Sequence, residues 1–371
     1  MEKFDVTYLL QPQTIINSLV ELQPVPHFLR DRYAPKAGDN VFATNNVLVE
    51  IKNGDRTIAP YVMKSADGVI FDRGGYRMHE YEPATTAVGR ILTLDDLQHR
   101  GFGEAPFANV TAEQRAAMLI AEDAADLDEK IWRLEEQAVA DVLLNNSFTI
   151  KETIDGKTDT GEVKKLCFYD FEDESTGKKN PSTLTLTKSW DTTEDSGKQI
   201  VSDLHQMILM LTTHGRPATE VLVSMDVANI LINNVYIQEM LDNRRIEIGG
   251  ISPEELAPYP EVAKLGRLNI YGHYLDIIVY EGTYEDAEGN TVPFLPEGTA
   301  IVTAPNCIRF NYGKIEQMEA DEQWHTYTQP RVPRVFTDVR NSMRQLEIRS
   351  RFIPVPKVYC PAVYAKVTGV E

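Results

Sequence analysis

Residues 111–145 carry a helical pattern that is long enough to constrain the shape of the whole molecule. Thr111 and Gln114 have the spacing of a capping box at its start, and Asn145-Asn146 ends it. Apolar side chains between them recur at steps of three and four residues, which places them on one face of a helix. They are Ala116, Ile120, Ala124, Leu127, Ile131, Leu134, Ala138 and Val142. At about 1.5 Å per residue this helix is roughly 50 Å long, more than an ordinary compact domain is wide. The sequence therefore predicts an elongated molecule.

The segments before this helix lack the apolar residues for a core of their own. Prolines at positions 12, 24, 26 and 35 interrupt residues 1–46, so we expect an arm that lies along another surface. In residues 47–94, β-branched and aromatic runs are separated by Asn53-Gly54, Asp67-Gly68 and Gly74-Gly75, which predicts a long β-hairpin. About half of its residues are polar or charged, so the hairpin needs a partner surface.

The segments after the long helix predict a mixed α/β unit. Residues 151–198 are rich in Thr, Lys, Asp, Glu and Gly, which indicates a β insertion or flap of low stability. The patterns that follow predict a helix over about 197–213, a strand over 220–223, a helix over 226–241 capped by Ser224, and strands over 269–271 and 275–280. The tail is predicted to be extended, with a last strand at about 363–367. No repeat with a period of about 20–50 residues is present, which excludes solenoids and propellers.

Composition excludes several classes of protein. Of 371 residues, 37 are Lys or Arg and 56 are Asp or Glu, which gives a formal net charge of −19. Such a charge repels nucleic acid unless a basic patch is segregated on one face. Cys167, Cys307 and Cys360 have no metal-binding spacing and indicate reduced thiols in a cytosolic setting. The sequence predicts neither a signal peptide nor a membrane-spanning segment.

No motif predicts an active site. Gly101-Phe102-Gly103 lacks the third glycine of a dinucleotide loop, and His79-Glu80 lacks the second histidine of a zinc helix. The seven histidines fall singly. Six acids lie on the long helix: Asp123, Asp126, Asp128, Glu129, Glu135 and Glu136. We interpret them as its solvated or subunit-facing side, because basic residues lie three and four positions away; a cation site or an acid/base pair is the alternative. We predict no catalytic residue, no metal and no cofactor.

Two basic clusters are candidates for contacts. Arg244-Arg245 follows a predicted helix end, where cations favour the helix dipole, so helix capping and an ion pair between subunits are both open. The C-terminal region is rich in arginine. Because stacking aromatics are not interleaved with these arginines, contacts between subunits are favoured there over nucleic-acid binding.

Read in order, short segments along the chain resemble one protein family. They are Phe28-Leu29-Arg30-Asp31-Arg32-Tyr33, Arg73-Gly74-Gly75, Glu135-Glu136-Gln137, Ala140-Asp141-Val142-Leu143, Trp190, Leu241-Asp242-Asn243-Arg244-Arg245, Tyr271-Gly272, Ile277-Ile278-Val279-Tyr280, Gly282-Thr283-Tyr284, Phe294-Leu295-Pro296 and Val302. In order and spacing this set is similar to the lambda-type major capsid proteins of tailed bacteriophages, which have the Hong Kong 97-type capsid fold. The similarity extends over nearly the whole chain.

This resemblance implies an α+β fold with an N-terminal arm, an extended hairpin called the E-loop, a long spine helix, and peripheral and axial domains. The implied segments are the arm at 1–46, the E-loop hairpin at 47–98, the spine helix of the peripheral domain at 99–150, the β insertion or flap at 151–198, a peripheral-domain helix at 199–214, the axial domain at 215–325, and C-terminal strands at 326–371 that return to the peripheral or axial domain.

The resemblance also implies a function and a set of contacts. The chain would be a major capsid protein of a tailed phage or prophage that assembles in the bacterial cytoplasm into hexamers and pentamers of an icosahedral shell around double-stranded DNA, without sequence-specific binding. The expected contacts between subunits involve Arg30, Arg32, Arg73, Gly74, Gly75, Glu80, Asp242, Arg244, Arg245 and Arg334. A separate scaffolding protein, a portal and a maturation protease are expected partners, with a decoration protein left open.

Two alternatives remain at this stage. An encapsulin-like compartment would use the same fold to enclose a protein cargo. An α/β enzyme with an unrecognised site would need a pocket with perturbed acid/base groups, and the motifs give it no support.

Overall fold

The computed structural model describes residues 25–51, 58–59, 61, 70, 75–93, 96, 111–153, 159–170, 182–241, 259–318, 323–338 and 343–369. Its helices are α1 (Phe28–Tyr33), α2 (Ala112–Asn145), α3 (Glu194–Thr213), α4 (Met225–Asn233) and α5 (Val235–Leu241). Its strands are β1 (Asn40–Val41), β2 (Val47–Ile51), β3 (Arg77–Tyr81), β4 (Ala84–Thr93), β5 (Ser147–Thr153), β6 (Asp159–Cys167), β7 (Thr183–Leu184), β8 (Glu220–Val223), β9 (Val262–Ile270), β10 (His273–Tyr280), β11 (Thr283–Glu285), β12 (Thr291–Pro293), β13 (Thr299–Thr303), β14 (Ile308–Tyr312), β15 (Ile315–Met318), β16 (Trp324–Tyr327), β17 (Val332–Asp338), β18 (Met343–Pro356) and β19 (Ala362–Lys366).

The long helix α2 confirms the main sequence prediction. Its capping box is formed: the N–H of Gln114 donates to Thr111 Oγ1 at 3.3 Å, and the N–H of Thr111 donates to Gln114 Oε1 at 3.1 Å. The helix ends where Asn146 adopts a left-handed conformation with φ of 49°. Thirty-four residues at about 1.5 Å each give a rod of roughly 50 Å.

A five-stranded sheet is built around the long strand β18. Phe352 of β18 pairs with Tyr312 of β14 on one side and with Ala84 of β4 on the other. β17 pairs with the first half of β18, and β1 extends the sheet beyond β14. In the first half of β18, the buried side chains of Leu346 and Ile348 pack against the apolar stripe of α2.

A six-stranded mixed sheet has the order β7-β19-β13-β8-β10-β9. Alternate residues of its central strands face opposite layers: Val221 and Val223 pack in one cluster with α3, α4 and α5, whereas Leu222 packs in a second cluster with α1 and the end of α2. Because both faces are covered, β8 and β13 are buried at every position, as the unbroken apolar runs in their sequences require.

Several predicted elements are confirmed with adjusted ends. The predicted strand 220–223 is β8, and the helix predicted at 197–213 is α3, which begins earlier because Thr193 accepts a hydrogen bond from the N–H of Ser196. The predicted helix 226–241 is two helices. Asn234 separates them because its side chain accepts from the N–H of Ile237 and donates to the backbone oxygens of Asp191 and Thr193.

The region predicted as a long hairpin contains two different structures. β2 and β3 pair in antiparallel register from Val47 with Tyr81 to Ile51 with Arg77, as a hairpin does. β4 belongs instead to the five-stranded sheet, where all ten of its residues pair with β18. The predicted turns at Asn53-Gly54 and Asp67-Gly68 lie outside the described residues, as does Gly74.

Gly197 in α3 offers a direct test of this packing. A Cβ atom at this position would lie 2.4 Å from Asn234 Oδ1 and 2.5 Å from Tyr236 Cβ. Replacing Gly197 by Ala should therefore lower the free energy of unfolding by about 2 kcal/mol, even though Ala is the better helix former. Urea denaturation of the full chain measures this change. Ser202→Ala, at an exposed position of the same helix, should change stability by less than about 0.5 kcal/mol, and equal stability of the two variants would contradict the packing described here.

Candidate functional site

The six-residue helix α1 lies between the two sheets and against α2. Phe28, Leu29 and Tyr33 are buried, and Phe28 stacks on Tyr280 of β10 with 6.0 Å between ring centroids. So short a helix is not stable by itself in water. His27 at its N-cap makes no capping side-chain hydrogen bond. The first turn of α1 therefore depends on partners from elsewhere in the chain.

Glu136 of α2 supplies those partners. Its carboxylate accepts the backbone N–H of Leu29 and of Arg30, each at 2.8 Å, and the hydroxyl of Tyr280, also at 2.8 Å. The carboxylate thus satisfies the donors that the first turn of a helix leaves free. Burial raises the pKa of Glu136 to about 7, although these three hydrogen bonds oppose the rise.

Arg30 fills the space between α1, α2 and the five-stranded sheet. Its side chain is 1% exposed; Nε lies 3.3 Å from Glu135 Oε2, Nη2 lies 2.6 Å from Asp39 Oδ2, and the guanidinium carbon lies 4.0 Å from the centre of the Phe310 ring. Tyr312 of β14 donates its hydroxyl to Glu135 at 3.0 Å. Arg30 therefore has no surface to offer a neighbouring subunit, and the expected contact between subunits is replaced by one inside the chain.

Arg32 connects α1 to the six-stranded sheet. Its Nε lies 3.0 and 2.9 Å from the two carboxylate oxygens of Glu220 in β8, and Nη2 also pairs with that carboxylate. Tyr33 donates its hydroxyl to the same group at 3.1 Å. Its guanidinium is thus engaged within the chain, but its side chain is 26% exposed, so the expected contact of Arg32 with another subunit stays a prediction. Through Arg30 and Arg32, the helix α1 joins both sheets to α2. We use the name arm anchor for α1 together with Glu135, Glu136 and Glu220.

The aromatic face of Trp132 adds a cationic contact to the arm anchor. Lys36 Nζ lies 3.7 Å from the ring centroid of Trp132, and the guanidinium carbon of Arg331 lies 4.7 Å from it. Arg331 also pairs with Glu135 at 3.2 Å and with Asp128. These contacts join residues 36, 132 and 331, which no local pattern in the sequence connects.

Glu135 and Glu136 are the residues of this site that the sequence analysis placed wrongly. They were interpreted with the other acids as a solvated or subunit-facing side, but both are buried. A signal was available: Glu135 stands four residues after Ile131 and four before Val139, which places it in the apolar stripe of the helix. An acid in such a stripe is expected to have a buried donor, and here the donors come from α1 and β14.

Of the other predicted contact residues, Gly75, Glu80 and Arg334 lie in the described part of the chain. Glu80 is exposed on β3 and accepts from Asn46 Nδ2 at 2.6 Å, and Gly75 is exposed with open space around it. Arg334 on β17 is half-buried, with its guanidinium 4.8 Å from the centre of the Phe336 ring. The remaining predicted residues, Arg73, Gly74, Asp242, Arg244 and Arg245, lie outside the described residues.

The hairpin of β2 and β3 has two unlike faces. Val47 and Tyr81 on the inner face are buried in the subunit core. Leu48 and Met78 on the outer face are 54% and 52% exposed, and their cross-strand partners are Glu80 and Glu50. The ribbon of β15 and β16 ends similarly, because the paired Met318 and Trp324 are both exposed. These exposed apolar side chains are the candidates that the described strands offer for contact with another molecule.

The described part of the chain has neither a metal-binding cluster nor a membrane-spanning helix. Among those residues, no group of three or more His, Cys, Asp or Glu side chains is arranged to hold a metal ion. No helix found there is both long and apolar enough to cross a membrane.

Comparison with solved structures defines the class of protein. The fold matches the protein assigned as a prophage capsid protein from E. coli CFT073, with a TM-score of 0.60 and 18% identity over 95% of this chain and 96% of that one. It also matches the capsid protein of cyanophage P-SCSP1u, with a TM-score of 0.52 and 9% identity over 97% of this chain and 94% of that one. The chain therefore has the Hong Kong 97-type capsid fold. A search of curated proteins by sequence found no match.

The family model of the phage major capsid protein E matches residues 12–367. The chain belongs to this family. It is accordingly a major capsid protein of a tailed phage or prophage, a structural component of the icosahedral shell and not an enzyme, as the resemblance in its sequence predicted. The encapsulin-like and enzyme alternatives are set aside by this membership.

The arm anchor predicts a large difference between two arginines that each pair with two carboxylates. Arg30→Met removes the ion pair of Asp39 and leaves Glu135 with Arg331 as its remaining cation, and it should cost about 3–5 kcal/mol of unfolding free energy because both carboxylates are largely buried. Arg90 is 44% exposed and pairs with Asp123 and Asp126 of α2, so Arg90→Met should cost less than about 1 kcal/mol. Urea denaturation of both variants measures the difference. Equal losses would show that the burial of Arg30 does not matter to stability.

Proposed function

We propose that the chain assembles into the hexamers and pentamers of the phage shell through surfaces that lie outside the arm anchor. The observation that carries this proposal is the outer face of the β2–β3 hairpin, where Leu48 and Met78 are exposed although the inner face is part of the core. A two-stranded ribbon is at best marginally stable in water. A neighbouring subunit that covers this face removes apolar surface from water, at about 25 cal/mol per Å².

In this proposal the hairpin is the E-loop, and residues 1–46 are the arm. The spine helix α2 and the helix α3 belong to the peripheral domain, and residues 215–325, with α4 and α5, form the axial domain. The buried residues of α1, which are Phe28, Leu29, Arg30 and Tyr33, are left out of the arm's proposed contacts with neighbours. Heterologous contacts between axial domains close into rings when the rotation permits it.

The predicted contact residues that remain in the proposal are six charged side chains and two glycines. Arg73, Gly74, Gly75 and Glu80 belong to the hairpin, and Asp242, Arg244 and Arg245 follow α5. Arg334 lies on β17, across from Glu347 of β18. We propose that the charged residues of this set determine the orientation of neighbours, while the apolar positions of the hairpin supply affinity.

The proposed partners are further copies of the chain, a separate scaffolding protein, a portal and, in some phages, a decoration protein, with assembly in the bacterial cytoplasm. Packaged DNA is enclosed without sequence-specific binding. The net charge of −19 supports this part of the proposal, because an acidic subunit repels DNA within a Debye length of about 8 Å.

Substitutions on the two faces of β2 test the role of the hairpin. Leu48→Lys with Met78→Lys changes only exposed side chains and places each lysine across from a glutamate, so the subunit should keep its circular dichroism spectrum and its stability within about 1 kcal/mol. Negative-stain electron microscopy of protein expressed with its scaffold should show no closed shells. Val47→Asp on the inner face is the control and should unfold the subunit, because it buries an unpaired charge. Normal shells from the double variant would remove the hairpin from the proposed contacts.

Charge reversal tests the proposed contact after α5. Arg245→Glu should reduce the fraction of protein that sediments as capsomers at least tenfold, while the circular dichroism of the subunit stays unchanged. Sedimentation velocity at low and high salt measures this fraction, and the defect of the variant should be smaller at high salt because ions screen exposed charges. Capsomers in wild-type amounts at both salt concentrations would mean that Arg245 only caps a helix.

A further inference from the structure

The turn between β13 and β14, residues 304–307, is surrounded by three cations. Arg216 donates from Nη2 to two backbone oxygens of this turn, at 2.6 and 3.2 Å. Lys357, just after β18, donates to the side-chain oxygen of Asn306. Arg309 is exposed on β14, two residues beyond the turn. We use the name basic turn for this turn together with its three cations.

The cations of the basic turn lack a carboxylate partner. Among the described residues, no Asp or Glu forms an ion pair with Arg216, Arg309 or Lys357, and Nε of Arg216 is buried without a hydrogen-bond partner. Asp39, whose charge acts on Lys357, is itself paired with the buried Arg30. Burial, and after it the charge of Arg309, lower the pKa of Lys357. An anion bound at the basic turn would offset the repulsion between these like charges.

The two-stranded ribbon of β11 and β12 carries the complementary charge. Glu285 at the end of β11 and Glu288 in the turn that follows are exposed. Asp286 accepts the backbone N–H of Asn290 at 2.7 Å and so holds this turn. Within the described part of the chain, no cation pairs with any of the three carboxylates. We use the name acidic ribbon for β11 and β12 together with these three acids.

The basic turn and the acidic ribbon approach α2 from opposite sides. Tyr312 of β14 donates its hydroxyl to Glu135 at 3.0 Å. On β11, the hydroxyl of Tyr284 accepts from Nε2 of Gln137 at 3.4 Å. Positions 135 and 137 project about 200° apart around the helix axis, because each residue of a helix turns by about 100°. The folded subunit therefore keeps its own acidic ribbon away from its own basic turn.

We propose that the basic turn of one subunit binds the acidic ribbon of the next copy in a capsomer. This inference rests on the proposed assembly into hexamers and pentamers and assigns a pair of surfaces to it. Because the two surfaces differ, the contact is heterologous, which is the kind that closes into a ring. The charges also fix the direction of the ring, since a subunit turned around would bring like charges together.

The charge of the chain favours a second copy over nucleic acid as the occupant of the basic turn. With 56 acidic residues against 37 basic ones, the subunit as a whole repels a phosphate backbone. A second copy instead offers three carboxylates, grouped on one ribbon, to the three cations of the turn. Binding of a phosphate group is therefore treated as the competing outcome of the experiment.

Charge reversal with compensation tests the contact in the full chain. Arg309→Glu should lower the fraction of protein that sediments as capsomers at least tenfold, and Glu285→Arg and Glu288→Arg should each lower it similarly. Combining Arg309→Glu with one of the two glutamate reversals should restore the fraction to within about threefold of wild type, because opposite charges again face each other. Every variant should keep the circular dichroism of the wild-type subunit, since the three side chains are exposed.

Lys188→Glu is the matched control. Lys188 is exposed before α3, and its reversal changes the net charge by the same amount as Arg309→Glu. The capsomer fraction of this control should stay within about twofold of wild type. Binding of a short fluorescent DNA duplex to the wild-type protein and to Arg309→Glu measures the competing occupant.

Several results would overturn the proposal. Capsomers in wild-type amounts from Arg309→Glu would exclude the basic turn from the contact, and normal capsomers with lost DNA binding would identify a phosphate group as its occupant. A loss that neither glutamate reversal repairs would exclude the acidic ribbon as the partner. An equal loss in Lys188→Glu would mean that net charge alone decides assembly. Wild-type protein that forms neither capsomers nor shells would instead contradict the proposed function, so the two failures are distinguishable.

Discussion

Two neighbouring carboxylates of α2, Glu135 and Glu136, join α1, β10, β14 and Arg331 by buried hydrogen bonds and ion pairs. Glu136 takes the free donors of α1, and Glu135 takes Arg30, Arg331 and the hydroxyl of Tyr312. Breaking a buried ion pair from one side is far more costly than losing an exposed one. The positions of both sheets relative to α2 therefore depend on a few polar groups as well as on the large apolar core around them.

The surfaces that remain uncovered in the folded subunit are the ones that can contact other molecules. Both faces of the six-stranded sheet are covered. In the five-stranded sheet, α2 covers one side of the first half of β18. The hairpin of β2 and β3 is fixed to the core by one face only, with Val47 and Tyr81. A rigid subunit with half-exposed hairpins suits a capsid protein, since neighbours can add to those hairpins without rearranging the core.

Local pattern predicted α2, β8 and α3 well, because steps of three and four residues or an unbroken apolar run decide those elements by themselves. The resemblance of short segments in order predicted the family, although no single segment is diagnostic. The sequence could not predict the arm anchor. The resemblance implied contacts between subunits for Arg30 and Arg32. Among the partners of Arg30, Glu135 and Tyr312 lie 105 and 282 residues away, and the partner of Arg32 lies 188 residues away. β4 was assigned to the hairpin because its partner, β18, begins 250 residues after Thr93. The break between α4 and α5 depends on side-chain bonds from Asn234 to backbone that precedes α3. The large separation along the chain between contacting residues, and not weak local preference, is the reason why the sequence did not predict these contacts.

The large sequence separation of these contacts also determines the order in which they can form during synthesis of the protein. The N-terminus leaves the ribosome first, yet α1 has no stable partner until Glu135 and Glu136, then Glu220 and Tyr280, and finally Tyr312 have been made. Contacts of such long sequence separation form late in folding, since a large loop must close before any of them is gained. In a nascent chain, α1 therefore lacks its full set of partners for most of the time that synthesis takes. A truncated product that ends before β14 and β18 would lack the partners that position the arm and complete the five-stranded sheet. The contacts that stabilise the finished subunit therefore also prevent incomplete chains from presenting a native surface to a growing shell.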